Sequence, residues 1–314
     1  MKTSQDIVPL GKTDLMITTV GVGAWAWGDR MVWGYGGNSY SDADIREAFD
    51  ISLANGTNWF DTAEIYGFGR SEKFLGKFIP TTEKKVLVAT KFFPFPWRLR
   101  KKALLRMLKK SLERLQLSQV DLYQIHMPIG RWSKPAYVSV LADAVKARLT
   151  RAVGVSNFNT EQTRLANDTL QAVGVPLASN QVEYSLFDRR IESNGLLDYC
   201  LENDITVIAY SPLAKGMVTG KYGPDNPPPG PRKRMYPPEK LQRAQPLIAL
   251  LKETAAANGK TPAQVALNRT ICKGTVPIPG AKNAKQAADN LGAMGWRLTS
   301  QEVTALDDAS KLLA

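Results

Sequence analysis

Short apolar runs, polar turns and amphipathic stretches follow one another along almost the whole chain. Apolar runs bounded by turn residues read as buried strands, and apolar positions three and four residues apart read as helices packed by one face. On this basis strands are expected at residues 19–23, 58–61, 86–91, 120–125, 152–155, 178–182, 206–210 and 276–279. Helices are expected at 42–54, 71–78, 99–115, 137–147, 161–172, 194–202, 241–257 with 261–272, and 284–293. Parallel neighbours need a long crossover, so this alternation predicts a parallel sheet. Eight such units predict closure, which gives an α/β fold of the (β/α)8 TIM-barrel type.

Three segments fall outside the rhythm. Residues 6–17 read as two short strands around Gly11-Lys12-Thr13-Asp14, a hairpin capping the barrel bottom. The stretch 223–238, GPDNPPPGPRKRMYPP, is too rich in Pro and Gly for regular structure and reads as a long loop. Residues 299–312 carry a cap and a helical pattern of their own, an extra C-terminal helix. With no linker or low-complexity tract, residues 1–314 read as a single domain.

Composition narrows the function classes. A hydrophobic share of 44% and a charged share of 22% are those of a soluble globular protein. No apolar run is long enough to span a membrane, and the first residues have no apolar core of a secretory signal. Cys200, Cys272 and the single histidine, His126, cannot build a Cys/His metal site, so no metal is expected and both thiols read as buried and reduced. The net charge of +12 raises the possibility of nucleic acid. The Lys and Arg residues are spread out, however, with modest clusters at 98–102 and 232–234, and no nucleic-acid-binding motif surrounds them. A phosphorylated small molecule is an equally good source of that charge.

Ionisable residues collect at the C-terminal ends of the expected strands, which converge on one face of a barrel. Asp61 ends the second strand, with Tyr66 following in FDTAEIYG; Lys91 ends the third and His126 the fourth. Together they suit reduction of a carbonyl. Tyr66 would donate a proton to the developing alkoxide, Lys91 would lower the tyrosine pKa from about 10, Asp61 would hold Lys91, and His126 would orient the carbonyl oxygen. The hydride must come from a cofactor, because no side chain supplies one. Two glycine patterns do not qualify as cofactor loops. GVGAWAWG lacks the dinucleotide-binding spacing, and GMVTGKY has the wrong glycine spacing and no Ser or Thr after the lysine.

FDTAEIYG, ATK and LYQIHMP resemble the catalytic segments of the aldo-keto reductases, and the resemblance runs over essentially the whole chain. It is nearest in character to plant plastid and cyanobacterial members. It implies a catalytic tetrad at Asp61, Tyr66, Lys91 and His126 and NADPH as cofactor in preference to NADH. GVSNF, SNQVEYS and AYSPLAKGMVTGKY are similar to that family's nicotinamide and pyrophosphate segments. The likeness implies Ser156, Asn157 and Gln181 on the carboxamide, Tyr210 stacked on the nicotinamide ring, Ser211, Leu213, Lys215 and Lys221 along the pyrophosphate, and Trp25 as a further cofactor contact. PIPGAKNAKQAADNLGA is similar to the family's adenosine-phosphate site and implies roles for Gly280, Lys282, Gln286, Asp289 and Asn290. Gln286 stands where Arg is common, leaving Lys282, Lys285 and Arg232 to cover a 2′-phosphate. A helix N-terminus with nearby lysine favours phosphate without any analogy.

Trp25, Trp27, Phe93, Trp97 and Trp132 lie in loops following the first, third and fourth strands, an aromatic-rich mouth suited to a small aldehyde or ketone, with Trp27, Phe93 and Trp132 expected at the substrate. No nucleic acid or membrane partner is expected, and the sequence is silent on oligomeric state. The location implied is cytoplasmic, or the plastid stroma for a mature plant protein. The alternative reading is a cofactor-binding barrel acting as a redox sensor or channel-type subunit with slow turnover, since the chain also resembles potassium-channel β subunits.

Overall fold

The computed structural model describes residues 6–37, 39–230 and 232–313. An N-terminal hairpin pairs β1 (Ile7–Pro9) antiparallel with β2 (Met16–Thr18). The alternating units then run β3 (Val22–Gly23), α1 (Asp42–Ala54), β4 (Trp59–Asp61), α2 (Arg70–Phe78), β5 (Leu87–Phe92), α3 (Lys102–Leu115) and β6 (Val120–Ile125). Next come α4 (Pro135–Val138), α5 (Val140–Lys146), β7 (Thr150–Ser156), α6 (Thr160–Gln171), β8 (Leu177–Glu183), α7 (Arg190–Ser193), α8 (Leu196–Glu202) and β9 (Thr206–Tyr210). The chain ends with α9 (Arg232–Met235), α10 (Pro238–Arg243), α11 (Gln245–Ala257), α12 (Pro262–Cys272), β10 (Val276–Pro277), α13 (Ala284–Leu291) and α14 (Ser300–Ser310).

Strands β3 to β10 form one parallel sheet in sequence order. The sheet closes on itself: Gly21 N–H donates to Pro277 O at 3.0 Å, Gly23 N–H to Pro279 O at 3.1 Å, and Gly23 bridges Gly280. A Cβ at Gly23 would lie 2.8 Å from Ile278 O, so the closing seam needs glycine there. The fold is thus the expected TIM barrel with its hairpin and extra C-terminal helix.

Alternation along each strand decides what faces in. Trp59, Leu87, Ala89, Leu122, Ala152, Ala178 and Ile208 fill the barrel interior together with Leu10, Leu15 and Ile17 from the hairpin. The hairpin caps the bottom closely, with Gly11 N–H donating to Thr206 Oγ1 at 2.8 Å. Phe60, Val88, Tyr123, Val153 and Val207 face out into the main core shared with the surrounding helices. Capping boxes start several helices: Ser41 with Asp44 for α1, Asn159 with Gln162 for α6, Thr261 with Gln264 for α12 and Thr299 with Glu302 for α14.

Some boundaries differ from expectation. The first and last barrel strands are short, because Pro277 and Pro279 have no N–H to donate. The helix expected from residue 99 starts at Lys102, and the one expected over 137–147 splits at Ser139. The loop expected over 223–238 contains the turn of helix α9 and the first residue of α10, with Tyr236 buried beneath it; residue 231 lies outside the described residues. Cys200 is buried as expected, whereas Cys272 is only half-buried. No helix among the described residues is long and apolar enough to cross a membrane.

Candidate active site

Period-two alternation carries Asp61, Lys91, Gln124 and Gln181 from four strands onto the inward face, one layer above the apolar plug. The Lys91 ammonium, fully buried, pairs with Asp61 and donates to Thr62 O at 2.9 Å and toward the Tyr66 hydroxyl at 3.5 Å. The second Asp61 oxygen accepts from Gln181 Nε2 at 2.8 Å and from Gln124 Nε2 at 3.5 Å. Asp61 therefore answers the buried charge and is itself held by two amides, which is what a buried pair requires.

Tyr66 lies above this pair, with Lys91 5.0 Å from its ring centroid and the His126 ring edge-on at 5.7 Å. Burial, reinforced by the charge of Asp61, pushes the Tyr66 hydroxyl well above its ordinary range. This corrects the expectation that Lys91 lowers it. The ammonium is neutralised by Asp61, which sits closer to it than the phenol does. Burial also lowers Lys91 itself, against the pull of Asp61. His126 is held well below its usual range by burial and then by Lys91, so its ring is neutral. Its Nδ1 is a buried polar atom without a partner among the described residues.

The ends of β6, β7 and β9 are tied together beside Tyr66. Asn157, at φ 62, donates to His126 O at 3.1 Å and accepts from the Tyr210 hydroxyl at 2.9 Å. Ser156 Oγ donates to Gln181 O at 2.8 Å. Ser211, Ala214 and Lys215 also adopt left-handed conformations that non-glycine residues rarely take. Strain of this kind concentrates where a backbone must wrap a ligand.

Most of these groups border one cavity of about 620 Å³. Asp61, Tyr66 and His126 line it at one side, with Lys91 just beneath through its bonds to Asp61 and Tyr66. Trp25, Ser156, Asn157, Gln181, Tyr210, Ser211, Leu213, Lys215, Lys221, Arg232, Gly280, Lys282, Gln286, Asp289 and Asn290 line the remainder. Helix α13 opens there, with Asn283 capping Gln286 N at 3.0 Å. Catalytic-type groups thus share a cavity with a helix N-terminus and four cations.

The chain belongs to the aldo/keto reductase family. That family's model matches residues 19–311, and the protein is accordingly an oxidoreductase. Chloroplastic pyridoxal reductase of Arabidopsis thaliana is 41% identical over 95% of this chain and 84% of its own length. The aldo-keto reductase yakc [NADP(+)] of Schizosaccharomyces pombe is 30% identical over 93% of this chain and 88% of its own. Among solved structures, a glycerol dehydrogenase from Gluconobacter oxydans superimposes with a TM-score of 0.85 at 27% identity, covering 98% of this chain and 95% of that one.

The aromatic side chains of this aldo/keto reductase are distributed differently from the expected mouth. Trp27 is fully buried, packs on Phe60 and Phe78, and donates its indole N–H to Ala281 O at 2.8 Å; it belongs to the core, away from the cavity. Trp132 is buried too, packed on Phe92 and Tyr137 with its N–H on Arg98 O. Both indoles find a backbone acceptor inside the protein, which is how a tryptophan is accommodated in a core. Phe93 does not line the cavity but reaches within 5.5 Å of the His126 ring. Trp33 and Met127, absent from the sequence-based set, do line it. Trp33, from the loop after β3, sets its ring 4.6 Å from the Lys282 ammonium and 5.5 Å from the Trp25 ring. Its Gly-rich loop has no periodicity that marks it. Gln124 was findable, because it lies two positions before His126 on the inward face.

Proposed function

We propose that the protein reduces small aldehydes and ketones to alcohols with NADPH, Tyr66 donating the proton. The observation that carries this reading is one cavity bordered by Tyr66, His126 and Asp61, with Lys91 paired to Asp61 beneath them, beside a cationic wall. The residues present suit a phosphorylated nicotinamide dinucleotide. Ser156, Asn157 and Gln181 offer amide and hydroxyl groups for a carboxamide, and Tyr210 offers a ring to stack on. Lys215, Lys221, Arg232, Lys282 and the α13 N-terminus suit phosphates. His126 and Trp33 line the cavity, and the buried Nδ1 of the one and indole N–H of the other have no partner among the described residues, as expected of a wall whose polar atoms await a ligand.

When bound, the cofactor supplies the hydride. The protein's own part is to position and protonate. Tyr66 retains its proton at neutral pH because burial and Asp61 oppose its loss, so the hydroxyl stands ready to donate to a carbonyl oxygen becoming alkoxide. Lys91, held by Asp61, lies 3.5 Å from the oxygen that gives up the proton, where its ammonium N–H can donate a hydrogen bond to it. His126, neutral, presents its ring edge-on beside Tyr66 and orients the carbonyl without competing as a proton donor. Trp25, Trp33 and Met127 supply apolar walls for the substrate body. Pyridoxal, the aldehyde named for the Arabidopsis relative, is the first candidate.

The test follows loss of reduced-nicotinamide absorbance with NADPH and with NADH, using 4-nitrobenzaldehyde and pyridoxal. Wild type is expected to turn over with NADPH. Tyr66→Phe is expected to lose about a hundredfold or more of that rate with nearly unchanged NADPH affinity. Tight NADPH binding without turnover on any aldehyde would overturn the reductase reading in favour of a sensor or subunit.

A further inference from the structure

The loops following β3, β4, β5 and β6 are neighbours on the mouth side, because those strands are neighbours in the barrel. They leave six large apolar side chains exposed: Met31 and Val32, Phe68, Trp97 and Leu99, and Ile129. Met31 is 83%, Phe68 77% and Trp97 73% exposed, so none of these three is held by the core. Trp97 is nevertheless fixed in orientation, stacked on Phe95 with ring centroids 4.6 Å apart. Phe68 adopts a left-handed conformation at φ 56, costly for a bulky residue.

Cations interleave with them. Arg30, Arg100, Lys101, Lys102, Arg131 and Lys134 are all exposed on the same loops or at the first residue of the following helix. The acids of the arc are engaged: Asp29 is buried and accepts from Val32 N at 2.7 Å, and Glu64 pairs with Arg98. At the start of α1, Asp42 accepts from the Tyr35 hydroxyl, and Asp44 closes the capping box. None of the six apolar residues and none of the six cations lines the cavity, so the proposed chemistry does not account for them.

We propose that this arc docks the protein on an anionic lipid bilayer. Isolated exposed hydrophobics need no explanation, but six of them on four adjacent loops, interleaved with cations, mark an interaction surface. Apolar side chains between cations match the interface of such a bilayer: the former enter the headgroup–acyl boundary while Lys and Arg meet phosphate and carboxylate headgroups. A nucleic-acid backbone would satisfy the cations and leave Met31, Val32, Leu99 and Ile129 without partners. Phe93, which opens the β5 loop, lies 5.5 Å from His126, so docking through the arc turns the cavity toward the lipid. The docking does not rest on the reductase chemistry.

The test is co-sedimentation of the full chain with phosphatidylcholine vesicles, with and without phosphatidylserine, at low and high salt. Binding is expected on the phosphatidylserine vesicles, weaker in high salt and absent on phosphatidylcholine alone. Each cation near such a surface is worth about fivefold in affinity, so the triple variant Arg100→Ala, Lys101→Ala, Lys102→Ala is expected to lose on the order of a hundredfold. Trp97→Ala, which leaves every charge in place, is expected to weaken binding independently. A control triple at the opposite end, Lys12→Ala, Lys85→Ala, Lys146→Ala, is expected to stay close to wild type. Circular dichroism checks that each variant is folded. Absence of binding by wild type, equal losses in the two triples, or stronger association with DNA or RNA than with vesicles would each overturn the proposal.

Discussion

His126 is the only histidine in the chain, which makes its ionisation unusually easy to isolate. The ring has a buried Nδ1 with no partner among the described residues and feels the Lys91 ammonium, and both oppose a second positive charge. An imidazole in the unfolded chain takes up its proton at about pH 6.5, whereas the folded ring stays neutral well below that. Below that pH the unfolded state therefore binds the extra proton, and stability falls as the solution is acidified. While the unfolded imidazole is protonated and the folded ring is not, each pH unit of acidification removes up to about 1.4 kcal/mol through this group. The perturbation is His126→Phe, and the assay is urea unfolding of both proteins at the two pH values. Carboxylates titrate in both proteins, so the difference between them reports the histidine. Wild type is expected to lose more stability than the variant on acidification below about pH 6.5. An NMR titration of the ring protons should show no inflection near neutrality, and the reduction rate should not collapse near pH 6.5. A ring titrating at its ordinary pKa, or equal acid losses in the two proteins, would refute the buried-neutral assignment.

Lys91→Met leaves Asp61 without its buried counter-charge and is expected to cost about 3–5 kcal/mol in urea unfolding. The double variant Lys91→Met, Asp61→Leu should recover much of that loss, although neither protein should be active. Lys282→Ala is expected to weaken NADPH binding about tenfold or more by fluorescence titration while changing NADH little, because only the former carries a 2′-phosphate; equal losses would remove Lys282 from that role. Trp27→Ala should lower stability by about 3–5 kcal/mol as a core cavity. Trp25→Ala, at the cavity wall, should instead change the kinetics with little effect on the urea midpoint.

Much of the barrel was legible because its signals are local. Strand runs such as VLVATK and VDLYQIH end in polar groups, and capping residues such as Thr261 and Thr299 mark where helices begin. Asp61, Tyr66, Lys91 and His126 could be assembled on paper because each follows or ends a strand, and barrel strands share one open end. The aromatics were harder. Trp25 and Trp27 stand two positions apart in the same loop, yet one faces the cavity and the other is sealed in the core under Phe60 and Phe78. Loop side chains follow no period, so sequence spacing does not say which way they turn.

The sequence by itself determined the alternation of strand and helix, the closure into eight units, and which ionisable residues meet at the mouth. Those follow from periodicity, caps and covalent order. The tertiary structure alone decided that Asp61 compensates the Lys91 charge closely enough that Tyr66 is not acidified, that Trp33 meets Lys282, and that Trp27 and Trp132 serve the core. The reason is that proton affinity and burial depend on distances between segments far apart in the chain. Asp61 and Lys91 come within hydrogen-bonding range only once β4 and β5 lie side by side in a closed barrel.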